Sequence, residues 1–315
     1  MEFKNEKSER CYKNLDNQIT SIHKHSRELS IKSRYRYLEA EKRFCGFLSN
    51  EFGVQKIQNV KSKHLERYAD ELKTSGKSAA YIKTELAGIR YFHDKSGSKN
   101  QLCSNEKLNL DRRNFRQDRR WRQSEEEKYK ALCLEKGQTK AYSAAVVCRN
   151  TGLRLHEFFK LEKGQVSKML TSKDSVMEIK GKGGKVREIK VESEEVRKLL
   201  SDRLQEMKDT GSKEQKLYVN ELEGEKSHLE QKKVQNFLNR NREKFQENGI
   251  ENRECDISYH SFRHNFARDL YNKLMEEKGY CEGQEMDTET KEEILQEVSR
   301  SLGHERSDVT LIYLS

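Results

Sequence analysis

The sequence predicts a mainly α-helical protein with one small β-sheet, divided into two domains. Apolar residues recur at the helical period of about 3.6 over most of the chain. The period changes to two only around residues 176–191, on either side of a Gly-rich turn. The length of 315 residues exceeds the roughly 100–200 of one ordinary domain and suffices for two, each with its own core.

Residues 1–25 are polar and unpatterned and read as a flexible arm. From about Leu29, the residues Tyr35, Leu38, Phe44, Phe47 and Leu48 mark one face of a first helix. A second is expected over about 61–73, with Leu65, Tyr68, Ala69 and Leu72 on one side, and a third over about 78–93, with Tyr81, Leu86, Ile89 and Phe92. SerGlyLysSer at 75–78 and SerGlySer at 96–98 supply the breaks, so 26–110 reads as a helical bundle domain. Residues 111–122, DRRNFRQDRRWR, hold six Arg against two Asp and read as a basic linker. They either form a solvated connection or lie along phosphates through Arg112, Arg113, Arg116, Arg119, Arg120 and Arg122.

The second domain, 123–315, opens at SerGluGluGlu 124–127, where acidic side chains suit the first turn of a helix. Helices are expected at about 140–149 and 154–162. Val176, Met177 and Ile179 then lead into GKGGK at 181–185, with Val186, Ile189 and Val191 beyond it, the pattern of a hairpin with a lysine-bearing tip. Helical patterns resume at about 194–208, 228–246, 261–277 and 290–302.

Charge narrows the function. Lys and Arg number 63 against 53 Asp and Glu, a net of +10, as expected of a protein that meets a polyanion. Apolar residues are 33% and charged residues 37%, but ten net charges on this length do not hold a chain open, so a folded, solvated surface is expected. No run approaches the roughly 20 apolar residues that cross a bilayer, and the opening MEFKNEKSERCYKN lacks a signal-peptide core, which points to a cytoplasmic protein away from membranes. Seven cysteines without a C-x-x-C spacing argue against a zinc site and a disulfide framework, and proline is absent.

Four segments carry candidate chemistry: TGLRLHEFFKL at 151–161, GKGGKVREI at 181–189, HSFRH at 260–264 and LGHERSDVTLIY at 302–313. Each has an ordinary reading alone. Arg154 and Glu157 are a surface ion pair at i,i+3; GKGGK is a basic loop that lacks the Walker A spacing; His260, Arg263 and His304 are structural; Tyr313 is a packing residue.

In combination they say more. Arg, then a hairpin lysine, then His-x-x-Arg, then Leu-Gly-His, then Tyr nine residues on resembles the catalytic domain of the tyrosine recombinase (phage integrase) family. The helical segment before it resembles, by size, position and charge, that family's N-terminal SAM-like core-binding domain. The resemblance implies that Tyr313 attacks the scissile phosphate to give a 3′-phosphotyrosyl intermediate and a free 5′-hydroxyl. It implies that Arg154 and Arg263 clamp the phosphate, His260 transfers a proton, Lys182 protonates the leaving oxygen, and His304 bonds the phosphate or orients Tyr313. Lys185 is the alternative lysine, and Glu157 would hold Arg154.

The chemistry agrees. Attack on a phosphodiester builds charge on nonbridging oxygens, which two guanidinium forks can hold, so neither a metal nor any other cofactor is called for. The hydroxyl nucleophile needs a proton acceptor and the leaving oxygen an acid. The implied partners are double-stranded DNA, clasped mainly through its phosphates, and further copies of the chain in a homo-tetramer on paired sites. Integrase of a mobile element, nucleoid-associated in the cytoplasm, is the leading reading. A monomeric type IB topoisomerase-like relaxer and a non-catalytic DNA-binding protein on the same fold are the alternatives.

Two departures stand out. Forty residues separate Arg263 from His304, and the excess, 276–293, has eight acidic residues in eighteen; it reads as an exposed insertion that DNA repels, or as a contact for an accessory protein. Family members also continue past the tyrosine into a segment that packs on a neighbouring protomer. Here the sequence stops at Ser315, so either it is truncated or protomer exchange works differently.

Overall fold

The computed structural model describes residues 2–110, 118–181, 184–251, 253, 255–281, 284–304 and 307–314. The chain divides into two compact units, Met1–Asn114 and Phe115–Ser315.

The N-terminal unit is a four-helix bundle: α1 (Glu6–His25), α2 (Ile31–Glu51), α3 (Ser62–Thr74) and α4 (Ala79–Lys95). Its core joins Leu15 and Ile19 of α1 to Phe44 and Leu48 of α2, Leu65 of α3, and Leu86, Ile89 and Phe92 of α4. The hydroxyls of Ser30 and Ser78 cap α2 and α4 by accepting from the Ser33 and Tyr81 amides. Gly88 lets α4 lie close on α2, since a Cβ there would stand 3.1 Å from the Tyr37 Cα.

The flexible arm expected over 1–25 is corrected. Residues 6–25 are a helix that packs on α2, capped by Asn5, whose side chain accepts from the Ser8 amide. Cys11, Leu15 and Ile19, one turn apart, are buried along one stripe. Sparse apolar residues among many charges conceal such a stripe from composition.

The second unit contains α5 (Gln123–Glu135), α6 (Thr139–Thr151), the single turn α7 (Leu155–Phe158), α8 (Lys163–Thr171), strands β1 (Val176–Lys180) and β2 (Val186–Lys190), α9 (Glu194–Glu206), α10 (Ser227–Asn241), α11 (Tyr259–Glu277), α12 (Thr288–Leu302) and α13 (Ser307–Leu314). The central helix is α6, where Ala144, Ala145, Val146, Val147 and Cys148 are all buried and α11 packs alongside. The strands form an antiparallel hairpin pairing Met177 with Ile189, Ile179 with Arg187 and Lys180 with Val186. Its inward face runs through 187, 189 and 191, so Val186, read as one of its apolar residues, is instead 64% exposed.

One further expectation is corrected and another is borne out only in part. Of the basic linker 111–122, residues 111–117 lie outside the described residues, but 118–122 belong to the second unit. Trp121 stacks on Phe262 and Phe245 at 4.5 and 5.4 Å between ring centres and donates from Nε1 to the Ser258 carbonyl at 2.9 Å. An indole buried in this way outweighs the neighbouring charges. The segment 276–293 is exposed at most of its described positions, as expected, but it is continuous with its neighbours rather than a separate insertion: 276–277 finish α11 and 288–293 open α12. Asp287 caps α12 by accepting from the Thr290 amide and takes a hydrogen bond from the Tyr280 hydroxyl at 2.8 Å, while Tyr280 and Met286 pack on the core beneath.

Candidate catalytic site

The ends of α6, α7, α11 and α12, together with α13 and the hairpin, build the site. In α11, His260 and Arg263 are three residues apart and His260 and His264 four, so all three project from one side. Gly152 ends α6 at φ +65°, and its carbonyl accepts from Nη1 of Arg263 at 2.6 Å. A Cβ there would stand 2.4 Å from the Phe266 ring, so the turn needs glycine twice over. Two residues on, Arg154 precedes the short α7, its backbone amide donating to Glu157 at 2.9 Å and its Nη1 to the same carboxylate at 3.0 Å.

Gly303 closes α12 at φ +66° and turns the chain so that His304 reaches Arg263, with Nε2 at 3.3 Å from Nη2. Arg263 is fully buried; its Nη2 also donates to the Leu302 carbonyl, and its Nε has no hydrogen-bond partner among the described residues. Burial, and then the charge of Arg154, bring its pKa down to about 10. Burial also lowers His304, followed by the charges of Arg263, Arg154 and Arg187, to about 4. His304 is therefore neutral at pH 7. Arg263 can only donate, so Nε2 accepts and the ring proton sits on Nδ1, which is buried without a partner among the described residues.

Tyr313 lies on α13, 8% exposed. Its hydroxyl is 3.3 Å from His260 Nε2, its ring centre is 4.6 Å from that of His264 and 5.1 Å from that of His304, and the Arg263 guanidinium carbon is 5.7 Å from the ring centre. The backbone of α13 is held in part by Arg268, which donates to the Leu314 carbonyl at 2.8 Å.

Of the residues singled out in the sequence, Arg154, His260, Arg263, His304 and Tyr313 thus lie in one linked group, with Glu157 beneath Arg154. Lys182 lies outside the described residues. Lys185 lines a cleft of about 520 Å³ together with Arg154, Arg187, Gly303 and His304. Among the linker arginines, Arg112, Arg113 and Arg116 lie outside the described residues; Arg120 and Arg122 lie 3.2 and 3.8 Å from Asp118, and Arg119 belongs to the ordered start of the second unit.

Two residues escaped the sequence reading. Arg187 donates to both oxygens of Glu157, at 3.0 and 2.7 Å, and its Nε donates to the Ser301 carbonyl at 3.2 Å. Burial alone would raise the Glu157 carboxyl, but the Arg187 hydrogen bonds and charge, followed by Arg154, outweigh it and hold the group at about 2. The strand alternation puts Arg187 on the inward face with Ile189 and Val191, a usable signal. His264, the neutral ring against Tyr313, was inside a noted motif but given no role; burial, then the charge of His260, pushes it down to about 3.

Chemically, the group presents a hydroxyl beside an imidazole, two guanidinium groups with one shared carboxylate, and a cleft edged by lysine. Among the described residues, no group of three or more His, Cys, Asp or Glu is placed to hold a metal ion, and no helix is long and apolar enough to cross a membrane.

Sequence models of known families match both units. The phage integrase family model covers residues 121–279, and the model for the phage integrase N-terminal SAM-like domain covers residues 24–96. No curated protein matches the chain by sequence. Among solved structures, the chain is similar in fold to the Tn1549 transposon integrase in complex with transposon right-end DNA, with a TM-score of 0.66, 15% identity, and 96% of this chain and 94% of that one covered. It is also similar to lambda integrase in a tetramer bound to a Holliday junction, with a TM-score of 0.65, 14% identity and coverage of 95% and 76%. The XerH site-specific recombinase bound to a palindromic difH substrate gives a TM-score of 0.58, 19% identity and coverage of 99% and 86%.

Proposed function

The chain belongs to the phage integrase family, the tyrosine-type site-specific recombinases, and from that membership we propose that it cuts and rejoins DNA at the ends of a mobile element with Tyr313 as its nucleophile. The observation that carries the assignment of residues is the Tyr313 hydroxyl within 3.3 Å of His260 Nε2, beside the buried Arg263.

The reaction follows from that placement. His260 takes the phenol proton as Tyr313 Oη bonds to phosphorus, and the bond from phosphorus to the 5′ oxygen breaks. Arg154 and Arg263 hold the charge that develops on the nonbridging oxygens, in a site where burial strengthens them. A lysine at the hairpin tip, Lys182 or Lys185, gives its proton to the departing oxygen. The 3′-phosphotyrosyl bond retains the energy of the phosphodiester, so attack by another 5′-hydroxyl rejoins strands without ATP. A phosphate beside His304 opposes the burial and the arginine charges that lower its pKa and so shifts it upward, while the neutral ring already carries a donor on Nδ1.

The partners follow from the same reading: duplex DNA bound chiefly through phosphates, and a tetramer on paired sites, as the solved lambda integrase assembly forms on its junction. The protein works in the cytoplasm on the nucleoid.

Covalent trapping tests the proposal. The chain is incubated in EDTA with nicked duplexes drawn from its own element's flanking fragments, and the products are separated on a denaturing gel. A shifted protein–DNA band that disappears with Tyr313→Phe, while duplex affinity stays, is the expected result. A band of equal strength with Tyr313→Phe overturns the nucleophile. Salt-sensitive binding with no band from the unaltered chain favours a DNA-binding protein on this fold.

A further inference from the structure

The hairpin that carries the lysines is slight. It has two five-residue strands, and an isolated two-stranded hairpin is marginal in water. Its apolar anchors Met177 and Ile189 pair with each other, Ile179 pairs with Arg187, and the next pair toward the tip joins Lys180 to the 64%-exposed Val186. Arg187 and its partner Ile179, 3% exposed, therefore form the last rung with largely buried side chains before the tip, and Arg187 supplies its polar half.

That side chain is 8% exposed, and three of its N–H donors are aimed at protein groups: two at Glu157 and Nε at the Ser301 carbonyl. Glu157 in turn holds both the amide and Nη1 of Arg154. Ser301 lies in the last turn of α12, two residues before the Gly303 turn that delivers His304, and a Cβ at Gly303 would stand 2.9 Å from Arg187 Cδ. One guanidinium thus joins the hairpin, the phosphate-holding arginine and the turn carrying His304.

We propose that Arg187 is a positioning residue for strand cleavage: it locks the lysine-bearing hairpin onto Glu157 and Arg154, so that the proton donor and the phosphate clamp are assembled as one unit. This rests on the strand-cleavage reading of the site. In that reaction the 5′ oxygen leaves phosphorus as Tyr313 Oη bonds to it, and the oxygen takes its proton from the hairpin lysine. Without Arg187 the tip loses its last buried polar tie and only the apolar hold of Ile179 remains on that rung, so the proton arrives late. A sulfur atom in place of the bridging 5′ oxygen leaves as a thiolate without needing that proton, because a thiol is far more acidic than an alcohol.

The test compares single-turnover cleavage at saturating duplex for the unaltered chain, Arg187→Met and Arg187→Lys, on duplexes with a 5′-bridging oxygen or a 5′-bridging sulfur. On oxygen, Arg187→Met is expected to cleave about 100-fold more slowly, the scale of a lost general acid, with duplex affinity within about threefold of the unaltered chain. On sulfur the deficit shrinks to about tenfold or less, and Arg187→Lys, which keeps the charge and loses the fork, falls between on oxygen. Cleavage by Arg187→Met equal to the unaltered chain on oxygen overturns the proposal, as does a loss confined to affinity. An equal deficit on oxygen and sulfur overturns the link to the lysine. Should Arg187→Met fail to fold, as judged by its far-ultraviolet spectrum and duplex affinity, the oxygen-to-sulfur ratio of Arg187→Lys decides. Absence of covalent product from the unaltered chain sinks the strand-cleavage reading itself, whereas cleavage matched by the variants sinks only the role of Arg187.

Discussion

Glu85 in the N-terminal unit and Glu157 in the catalytic unit are both fully buried, and each carries two arginines. Glu85 of α4 holds Arg36 at 2.7 Å and Arg43 at 3.0 and 2.8 Å, both from α2, with guanidinium side chains a third or more exposed at 33% and 38%. Glu157 holds Arg154 and Arg187, the second only 8% exposed, and a third, fully buried guanidinium, Arg263, is near enough for Arg154 and Arg187 to lower its pKa. Water can share the surplus charge at Glu85. At Glu157 only Arg154, 26% exposed, meets water, Arg187 and Arg263 are shut off from it, and one carboxylate faces three cations. Buried charge left unmatched is costly, and an anion that enters relieves it. The first triad therefore ties two helices together, while the second holds an anion site ready.

Removing one arginine from each triad separates these roles most widely. Arg154→Ala should slow covalent cleavage at saturating DNA by about 100- to 1,000-fold, the cost of one preorganised donor to a developing oxyanion. Arg43→Ala should leave that rate unchanged and lower only the thermal stability of the N-terminal unit. Single-turnover trapping with both variants checks this; an equal slowing in the two would erase the distinction.

Neutralising the carboxylates gives a smaller contrast, in stability. Glu157→Gln strands a buried Arg187 and should cost about 3–5 kcal/mol, whereas Glu85→Gln should cost about 1–2 kcal/mol because its arginines can rehydrate. Trp121 is the chain's one tryptophan and is buried in the catalytic unit, so its fluorescence during urea unfolding reports that unit. Glu157→Gln should move the fluorescence midpoint strongly and Glu85→Gln should leave it in place. A shift of the same size from both would mean that the unfolding of one unit governs the other.

The two triads also show how far the sequence could be read. Arg154 and Glu157 stand at i,i+3, a local spacing, and the ordered motifs contain five of the residues that the fold brings together. Arg36, Arg43 and Glu85 come from two helices more than forty positions apart, and no spacing announces their meeting. Arg187 is intermediate: strand alternation put it inward, but its partner is thirty residues away and was visible only as the mate of Arg154. The helical architecture was legible wherever apolar residues were frequent. It failed for α1, whose three buried positions are diluted by charge, and at residues 118–122, where a single indole decides against six arginines in the surrounding run. Helix α13 was not read either, because its eight residues are too few to show a period, and Tyr313 is placed by the packing of that short helix on α11 and α12.

The weakest of the expected contrasts is in pH, where the two units should move in opposite directions. In the catalytic unit burial lowers His264 to about 3 and His304 to about 4. The unfolded chain takes up protons on these rings near pH 6.5 while the folded unit does not, so stability present above that pH is lost as pH falls toward the folded values. For the 2%-exposed His264 the loss between pH 6.5 and 5 is at most about 2 kcal/mol; His304 adds less, being better solvated. In the N-terminal unit, burial holds Glu41 protonated well above the usual carboxylate range. A raised folded pKa gives stability that is fully present below the unfolded value, near 4.3, and lost as pH rises. Acidification therefore favours this unit, opposed in part by His23 and His64, which burial lowers. Hydrogen exchange on the intact chain at about pH 7 and pH 5, corrected for intrinsic rates, resolves the units by peptide. Protection in α6 and α11 should fall on acidification while protection in α2 and α4 holds or rises, and His264→Asn should remove most of the fall. Protection that drops together in all four helices would mean that these buried groups do not set the acid response of either unit.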